Sequence, residues 1–354
     1  MSKQNTTLKD IADILGVSTT TVHRAITGKA GVGGQMRDTI CQLAASMGYS
    51  TNLAAAALKR KTIQIGVLLP DFAVENNYYY ASLWSGIREF MAQVGNQNIS
   101  LLEFYYSLIP GHHGRKLQEI YEHSVEKLDG LITLGVDDSQ SAYFIEKMKK
   151  AGLPIVILGA DLYPDSRLCC VKADDEMAGS LAAQLLTAFL PSDFHASVLL
   201  TGNPVGASGM IDQYRNHTGF REYLQELSGS WNLSTAYCAD VKELDALVAP
   251  YLDSPGRYPY AIYASSARHT IQMCHILKAR NLSGTIRLIG NDKFPESISA
   301  IRDGVLTASI DKKISQQAYY ASQILFDFLT RGKYPESDLI QIRPDILMKS
   351  NLEK

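Results

Sequence analysis

The sequence predicts a multidomain fold: a small all-α head of the helix-turn-helix type, followed by an α/β body of two doubly wound parallel-sheet lobes. Three observations predict it. The first part of the chain has apolar residues at helical spacing and no strand pattern. From Ile63 onward, apolar runs alternate regularly with helical stretches. About 290 of the 354 residues belong to this alternating part, which exceeds one sheet of usual size and therefore indicates two lobes.

The head begins with two short helices joined by a turn. Thr7 can cap the first helix, and Asp10 three residues later favours the exposed amides of its first turn. Gly16 stands where a sharp turn needs a left-handed backbone, and Ser18 can cap the second helix. The apolar face of the first helix comprises Leu8, Ile11, Ala12 and Leu15, and that of the second comprises Val22, Ala25 and Ile26.

The outward face of the second helix is polar. Short polar side chains and one guanidinium suit base edges and phosphates in a major groove, and this face offers Thr19, Thr20, His23, Arg24 and Thr27. A generic three-helix bundle with a polar face is the alternative. The agreement of cap, turn glycine and polar stripe favours DNA binding.

Two segments connect the head to the body. The glycines of 28–34 follow no strand and precede no Gly-Lys-Ser/Thr, so they indicate a loop before a third helix and not a phosphate loop. Asn52 can cap a short alanine-rich helix that ends in Lys59-Arg60-Lys61. We therefore place the head at 1–49 and a hinge helix with linker at 50–61.

Charge is divided unequally along the chain. Residues 1–61 carry eight basic and three acidic side chains, a net charge of +5, and the whole chain carries −2, so the remainder carries −7. A basic head on an acidic body is typical of a phosphate-binding module joined to a part that does not bind DNA.

The cysteines and the apolar runs of the chain indicate the cellular compartment in which the protein is expected. The five cysteines are odd in number and lack metal-ligand spacing, and the adjacent Cys169 and Cys170 suit a buried strand, so we expect reduced thiols and no metal. The polar start, Met1 to Thr6, lacks the apolar core of a signal peptide, and no apolar run is long enough to cross a bilayer. We expect a cytoplasmic protein.

The body alternates strands with helices. Strands are predicted at 63–69, 99–104, 130–134, 155–158, 196–201, 260–263 and 286–289. Helices are predicted around 83–94, 118–128, 142–151, 178–190, 218–227, 244–252, 270–280 and 316–330. His112 and His113 fall in a Pro-Gly loop and are expected to face solvent. Ligands of such folds bind at the carboxyl ends of strands, here in the cleft between the lobes.

Nearly end to end, the chain resembles the lactose-repressor (LacI) family of bacterial transcription factors. The most specific match is the head, Thr7-Leu8-x-Asp10-Ile11-Ala12 through Gly16-Val17-Ser18-x-x-Thr21-Val22-x-Arg24. Gly48-Tyr49-x-x-Asn52-x-x-Ala55-x-x-Leu58 is similar to that family's hinge helix, and Asn77-Tyr78-Tyr79-Tyr80 stands where the family has Asn-Pro-Phe-Phe. Weaker motifs follow in register at Leu128–Ile132, Leu153–Ile157, Asp174 with Gly179, Thr218–Phe220 and Ile289–Asp292.

The resemblance implies a homodimeric repressor that reads a pseudo-palindromic operator, with a body like the periplasmic binding proteins. Thr19, Thr20 and Arg24 would read bases, and Thr7, Ser18, Thr21 and Thr27 would hold phosphates. Paired hinge helices, contributing Asn52 and Ala55, would enter the minor groove, where Leu58 would kink the duplex or, alternatively, only pack. His23 departs from the family's serine, and Thr51 from the hinge proline.

The resemblance also implies a small polar effector, sugar-like, between the lobes. The positions that match or adjoin the family's effector positions are Asn77, Tyr79, Tyr80, Asp137, Arg215, Asn216, Asp292 and Lys312. Asn216 replaces the usual arginine, and Arg215 would point about 100° away on a helix, which argues against an ordinary monosaccharide. Alternatively, the tyrosines only pack and Asp292 only caps a turn.

The lobes are expected to interleave along the chain. We assign about 62–161 and 292–322 to the N-lobe, about 162–291 and 323–342 to the C-lobe, and 343–354 to a tail without a leucine heptad, which favours a dimer. Two other functions remain as alternatives. An α/β enzyme lacks support because no Gly-x-Gly-x-x-Gly or Gly-x-Ser-x-Gly motif occurs. A transport-type binding protein would need an export signal and would have no use for a DNA-binding head.

Overall fold

The computed structural model describes residues 7–26, 31–47, 62–71, 78–95, 98–189, 197–202, 215–227, 232–254 and 259–352. The head contains helices α1 (Leu8–Leu15), α2 (Thr19–Ile26) and α3 (Gly34–Ser46). Thr7 and Asp10 form a reciprocal capping box, and Gly16 takes a φ of 64° at the end of α1. The three helices bury a small apolar core of Ile11, Ala12, Val22, Ala25, Ile40 and Ala44.

The body alternates strands and helices from Ile63 to its end. Its strands are β1 (Ile63–Pro70), β2 (Ile99–Tyr106), β3 (Gly130–Leu134), β4 (Ile155–Leu158), β5 (Cys169–Ala173), β6 (Ser197–Gly202), β7 (Asn232–Tyr237), β8 (Ala261–Ala264), β9 (Arg287–Asn291), β10 (Ala308–Asp311), β11 (Leu339–Ile342) and β12 (Asp345–Leu347). Its helices are α4 (Tyr78–Gln93), α5 (His112–His123), α6 (Ser139–Lys150), α7 (Asp175–Thr187), α8 (Arg215–Glu226), α9 (Leu244–Leu252), α10 (Ala267–Ala279), α11 (Pro295–Arg302) and α12 (Ile314–Arg331).

Two six-stranded sheets confirm the two doubly wound lobes. The N-lobe sheet has the order β11-β5-β4-β3-β1-β2, and all its neighbouring strands are parallel. The C-lobe sheet has the order β12-β10-β9-β8-β6-β7 and is parallel except for its antiparallel edge strand β12. The central strands are buried on both faces, as parallel sheets covered by helices require.

The sheets correct the predicted lobe boundaries. Strand β5, expected in the C-lobe, pairs with β4 and β11 in the N-lobe, so the chain first changes lobes after Ala173 and not near 161. Helix α11 and strand β10, expected in the N-lobe, belong to the C-lobe, because β10 pairs with β9. Strand β11 returns to the N-lobe, and the expected tail contains β12, which pairs with β10. Pairing partners decide lobe membership, and a single sequence does not display them.

The seven predicted strands are all present, with ends within two residues of those predicted. Five further strands, β5, β7, β10, β11 and β12, and one further helix, α11, were not among the predicted elements. His113 corrects the expectation of solvent exposure: it lies in the first turn of α5, is 2% exposed and bonds to Ser141 and Thr133.

Glycines allow two helix pairs to approach closely. A Cβ on Gly179 of α7 would lie 1.9 Å from the carbonyl oxygen of Asn216 in α8, and one on Gly219 of α8 would lie 2.1 Å from that of Glu176 in α7. In the N-lobe, Gly86 of α4 stands equally close to Ser315 of α12. Within the described ranges, none of the helices combines the length and apolar character needed to cross a membrane.

Candidate functional site

The outward face of α2 is exposed as the sequence predicts. Val22 and Ala25 are buried in the core of the head, whereas Thr19, Thr20, His23 and Arg24 are exposed. Since the two buried residues fix the rotation of the helix, the polar side chains project together to one side.

The start of α2 is held by side-chain bonds. The Ser18 hydroxyl accepts from the Thr21 amide at 3.0 Å and lies 2.8 Å from the Thr21 hydroxyl. This cap satisfies an amide that the helix leaves open and keeps both hydroxyls at the edge of the polar face. Thr7, the other predicted phosphate contact, is exposed at the capped start of α1. Five predicted site residues lie outside the described residues: Thr27, Asn52, Ala55, Leu58 and Asn77.

A second polar site lies in the body, where strand ends of the C-lobe face the crossovers between the lobes. Asp292 directly follows β9 and is 5% exposed, with a φ of 71° that is uncommon outside glycine. Its backbone is fixed, because its amide donates to the Ile310 carbonyl at 2.8 Å and its carbonyl accepts from the Ser309 hydroxyl at 2.8 Å. Burial raises the pKa of Asp292 to about 6, against the opposing effect of Lys312.

Two lysines and two carboxylates form a buried charge cluster around Asp292. The Lys312 Nζ lies 3.6 Å from Asp175 Oδ1 and 4.0 Å from Asp292 Oδ1. The Lys172 Nζ lies 3.7 Å from the other oxygen of Asp175. The side chain of Lys172 is 2% exposed and that of Lys312 is 15% exposed, and the two carboxylates keep the pKa of Lys312 above its ordinary value. The cluster contains two positive and two negative groups and is therefore balanced in charge.

Two tyrosines of α4 bring the N-lobe to this cluster. Tyr80 is buried, and burial raises its pKa to about 12. Burial raises the pKa of Tyr79 well above its ordinary value, and Tyr80, Asp175 and Asp292 add to the effect. Tyr79 of the N-lobe and Asp292 of the C-lobe therefore lie near each other.

Tyr78 joins the lobes at the edge of the same site. Its ring stacks on Phe294 with the centroids 4.7 Å apart, and its hydroxyl donates to the carboxylate of Glu296. Tyr78 begins α4 in the N-lobe, whereas Phe294 and Glu296 lie at the start of α11 in the C-lobe. These contacts therefore join the N-lobe to the C-lobe.

Four buried polar atoms near the carboxyl ends of C-lobe strands have no hydrogen-bond partner among the described residues. They are Thr201 Oγ1, Asn216 Oδ1, Asn291 Oδ1 and Asp292 Oδ1. The nitrogen of Asn216 donates to the Ser265 carbonyl at 2.9 Å and that of Asn291 to the Tyr263 hydroxyl at 3.0 Å, so their oxygens are the open atoms. Leaving such an atom unpaired costs about 1–3 kcal/mol. Donors on a bound molecule would remove this cost.

Two predicted effector residues are not part of this group. Asp137 is exposed after β3. Arg215 is also exposed and lies 3.8 Å from Glu176, on the outside of the α7–α8 pair. The structure thus brings Asp292 and Lys312 together and places Asn216 at the neighbouring strand end. Tyr79 is close enough for Asp175 and Asp292 to raise its pKa, whereas Tyr80 packs in the apolar core of the N-lobe.

Sequence reasoning missed Lys172, Asp175 and Asn291. A signal for Lys172 was available, because a lysine within the otherwise apolar run Cys169–Ala173 needs a buried partner. Asp175, three residues later, is that partner. No group of three or more His, Cys, Asp or Glu side chains in the described part of the chain could hold a metal ion.

A separate cavity of about 410 Å³ lies between α4 and α12. Its lining includes Ser82, Glu89, Lys293, Asp311 and Tyr320, and none of the predicted effector residues. The buried acceptors without a partner among the described residues are not in this lining, and they are the better indication of a ligand site.

Two family models match the chain. Residues 7–52 match the model described as bacterial regulatory proteins of the lacI family. Residues 65–333 match the model described as a periplasmic binding protein domain. The first match covers the described head helices, and the second covers most of both lobes.

Individual relatives agree with these matches. The chain is 25% identical over 329 residues to the ribose operon repressor of Lactococcus lactis, an alignment that covers 92% of this chain and 91% of the relative. It is 26% identical to the transcriptional regulator DegA of Bacillus subtilis, over 62% of this chain and 61% of DegA, so the match spans about three fifths of that relative.

A solved structure shows the same fold. The crystal structure of a putative LacI transcriptional regulator from Bacteroides fragilis has a TM-score of 0.69 and 21% identity, over 82% of this chain and 98% of that chain. The body therefore belongs to the periplasmic binding protein domain family, and it is preceded in the same chain by a head that matches the lacI family of bacterial regulatory proteins.

Proposed function

We propose that this protein is a cytoplasmic, DNA-binding transcriptional repressor that binds a pseudo-palindromic operator as a homodimer. The observation that carries the proposal is the exposed polar face of α2, held by a capped start and a packed apolar core. A helix presented in this way can place Thr19, Thr20 and Arg24 on base edges, while Thr7, Ser18 and Thr21 meet phosphates. Two copies related by a twofold axis would read two half-sites.

We further propose that a small, sugar-like effector controls the repressor from between the lobes. The unpaired oxygens of Asn216, Asn291 and Asp292 support a ligand rich in hydrogen-bond donors, and hydroxyl groups are such donors. Tyr79 and Tyr80 supply aromatic surface from the other lobe. The name of one relative, a ribose operon repressor, fits this ligand class.

The DNA proposal is tested by selecting duplexes from a random library with the purified protein and measuring binding by fluorescence anisotropy. Arg24→Ala should relax base preference at one position of each half-site by about 1–3 kcal/mol. Arg302→Ala, in exposed α11 of the body, is the matched control and should bind as the wild type does. Failure to enrich any sequence would contradict the proposal, and uniform weakening on all duplexes would reassign Arg24 to a phosphate.

The effector proposal is tested by thermal shift with D-ribose, D-glucose, D-galactose, myo-inositol, D-gluconate and ribose 5-phosphate. A ligand at a hundred times its Kd stabilises the protein by about 2.7 kcal/mol, which raises Tm measurably. Asp292→Asn should lose the shift, whereas Glu89→Gln, a change in the lining of the separate cavity on α4, should keep it. The reverse result would place the ligand in that cavity and contradict the assignment.

A further inference from the structure

The backbone passes between the lobes three times, and these crossovers form the hinge. The first lies at Asp174 between β5 and α7, the second at residues 312 and 313 between β10 and α12, and the third at residues 343 and 344 between β11 and β12. Any change in the angle between the lobes must bend all three segments.

Ion pairs lie at these same crossovers, and in each of them the positive and negative groups are arranged in the same direction across the lobes. Lys172, the penultimate residue of β5 in the N-lobe, faces Asp175, the first residue of α7 in the C-lobe. Lys312, on the second crossover, faces Asp175 and Asp292 of the C-lobe. Lys313 precedes α12 of the N-lobe and lies 2.8 Å from Asp345 in β12 of the C-lobe. The lysines therefore stand on the N-lobe or on the crossover, and the carboxylates stand on the C-lobe.

The three buried pairs are long ion pairs. The Lys172–Asp175, Lys312–Asp175 and Lys312–Asp292 distances range from 3.6 to 4.0 Å, longer than the direct Lys313–Asp345 contact. Charges at these separations in a poorly solvated site attract strongly, yet their geometry can still change. Lys312 has two carboxylates within reach and can favour either one.

We propose that Lys172, Asp175 and Lys312 are positioning residues that set the angle between the lobes and transmit to it the occupancy of Asp292. Asp292 is shared, because Lys312 approaches its Oδ1 atom and the same atom has no hydrogen-bond partner among the described residues. A donor that takes this oxygen competes with Lys312 and shifts it toward Asp175. Asp175 also faces Lys172 of the N-lobe, so the shift changes the attraction across the first crossover. Only the identity of that donor rests on the effector proposed above.

The test measures the distance between the lobes without any ligand. A ketone-bearing amino acid carrying a nitroxide replaces Tyr143 in the N-lobe and Leu247 in the C-lobe, which are 51% and 40% exposed. Labelled chain is diluted with unlabelled chain, and double electron–electron resonance gives the distance distribution. Lys312→Met should increase the population at longer distance several-fold, because a buried cation no longer attracts the C-lobe carboxylates. An unchanged distribution would overturn the proposal.

A double-mutant cycle tests the transmission step. Asp292→Asn should shift the distribution in the wild-type background and have no further effect in the Lys312→Met background, because the two residues act through one contact. Additive shifts would mean that Asp292 does not act through Lys312 and would overturn the transmission. Since no sugar is used, this result is independent of the thermal-shift screen, and either proposal can fail alone.

Asp161→Asn is the matched control. The Arg167–Asp161 pair joins groups within the N-lobe at 2.7 Å, and the Arg167 side chain is 2% exposed. Loss of this pair should lower Tm without changing the distance between the lobes. A distance change as large as that of Lys312→Met would show that the measured distance responds to instability alone, and this would overturn the proposal.

If Lys312→Met does not fold, Lys313→Met provides the distance measurement. The side chains of Lys313 and Asp345 are 27% and 62% exposed, so breaking their ion pair leaves no buried charge.

Discussion

Asp292 combines three properties that suit a ligand-binding carboxylate. Its backbone is fixed by two hydrogen bonds, its side chain is buried, and one oxygen has no hydrogen-bond partner among the described residues. Burial holds its pKa at about 6. The group therefore changes charge within a range that is easily reached in experiments.

Effector affinity should depend on pH through Asp292. The ionised form accepts donors on both oxygens, and protonation removes part of this capacity, so affinity for a hit of the sugar screen should fall as pH drops below about 6. Well below that pKa the loss should approach tenfold per pH unit. Isothermal titration between pH 5 and 8 measures the change, and Asp292→Asn should flatten the profile. Equal wild-type affinity at pH 5 and 7.5 would contradict the role.

Three buried histidines should make the fold sensitive to acid. Burial lowers the pKa of His113, His217 and His269 to about 4 in each case, and a hydroxyl group is hydrogen-bonded to at least one ring nitrogen of each. Because the unfolded chain binds these protons more readily, the stabilisation is present above about pH 6.5 and is lost as pH falls toward 4. Asp292 has the opposite effect on the free energy of unfolding. Because its pKa is higher in the folded protein than in the unfolded chain, its protonation at low pH favours the folded state.

The expected loss is on the order of a few kcal/mol per histidine at full protonation. Urea unfolding at pH 7 and pH 4.5 measures the free-energy difference. His113→Gln, which retains hydrogen-bonding groups for Ser141 and Thr133, should reduce the pH dependence of stability. A variant that keeps the full wild-type dependence would show that His113 is not one of the responsible groups.

Among the elements, the turn of the head depends on one backbone conformation. Gly16 has a φ of 64° and nothing within 4 Å of an added Cβ, so Gly16→Ala should destabilise the head by about 1–2 kcal/mol through backbone strain alone. Gly34, the first residue of α3, also has open space but no positive φ, so Gly34→Ala is the matched control and should be neutral or slightly stabilising. Circular dichroism melting separates the two, and equal effects would contradict the turn assignment.

The body strands that sequence predicted well are the long or central ones. The apolar runs of β1, β3 and β4 are bounded by polar, glycine or proline residues and are fully or almost fully buried. Among the strands that it did not list, β7, β11 and β12 lie at sheet edges, whereas β5 and β10 are interior strands that contain polar or charged residues. Strand β7 is only partly buried and mixes polar with apolar residues, and β12 has three residues. Such strands are defined by their neighbours, and neighbours are tertiary information.

The sequence likewise predicted some residues of the candidate site and missed others. Asp292 could be proposed because it closely follows a predicted strand, and Tyr79 was proposed only because it matches an aromatic position of the resembled family. Lys172 and Asp175 could not, because their meaning depends on Lys312, which is far along the chain and reaches them only after both lobes have formed. Arg215 and Asp137 lie near the site in sequence, yet their side chains remain exposed.

At the scale of the whole molecule, the interleaved lobes should unfold together. Deleting residues 339–354 would remove β11 from one sheet and β12 from the other, so both lobes lose an edge strand. We expect one body transition at a clearly lower Tm, not one stable and one unstable lobe. Differential scanning calorimetry of the deletion variant and the full chain makes the comparison. Two separated transitions with one at the original temperature would contradict this coupling.

The same chain path has a consequence for biosynthesis. A ribosome delivers β1 to β5 first, but their sheet is completed only by β11, after nearly the whole C-lobe has emerged. Until then the edge of β5 that receives β11 is open and can pair with other chains. Nascent copies should therefore be most prone to aggregate while the C-lobe is being translated, and to depend on chaperones during that interval.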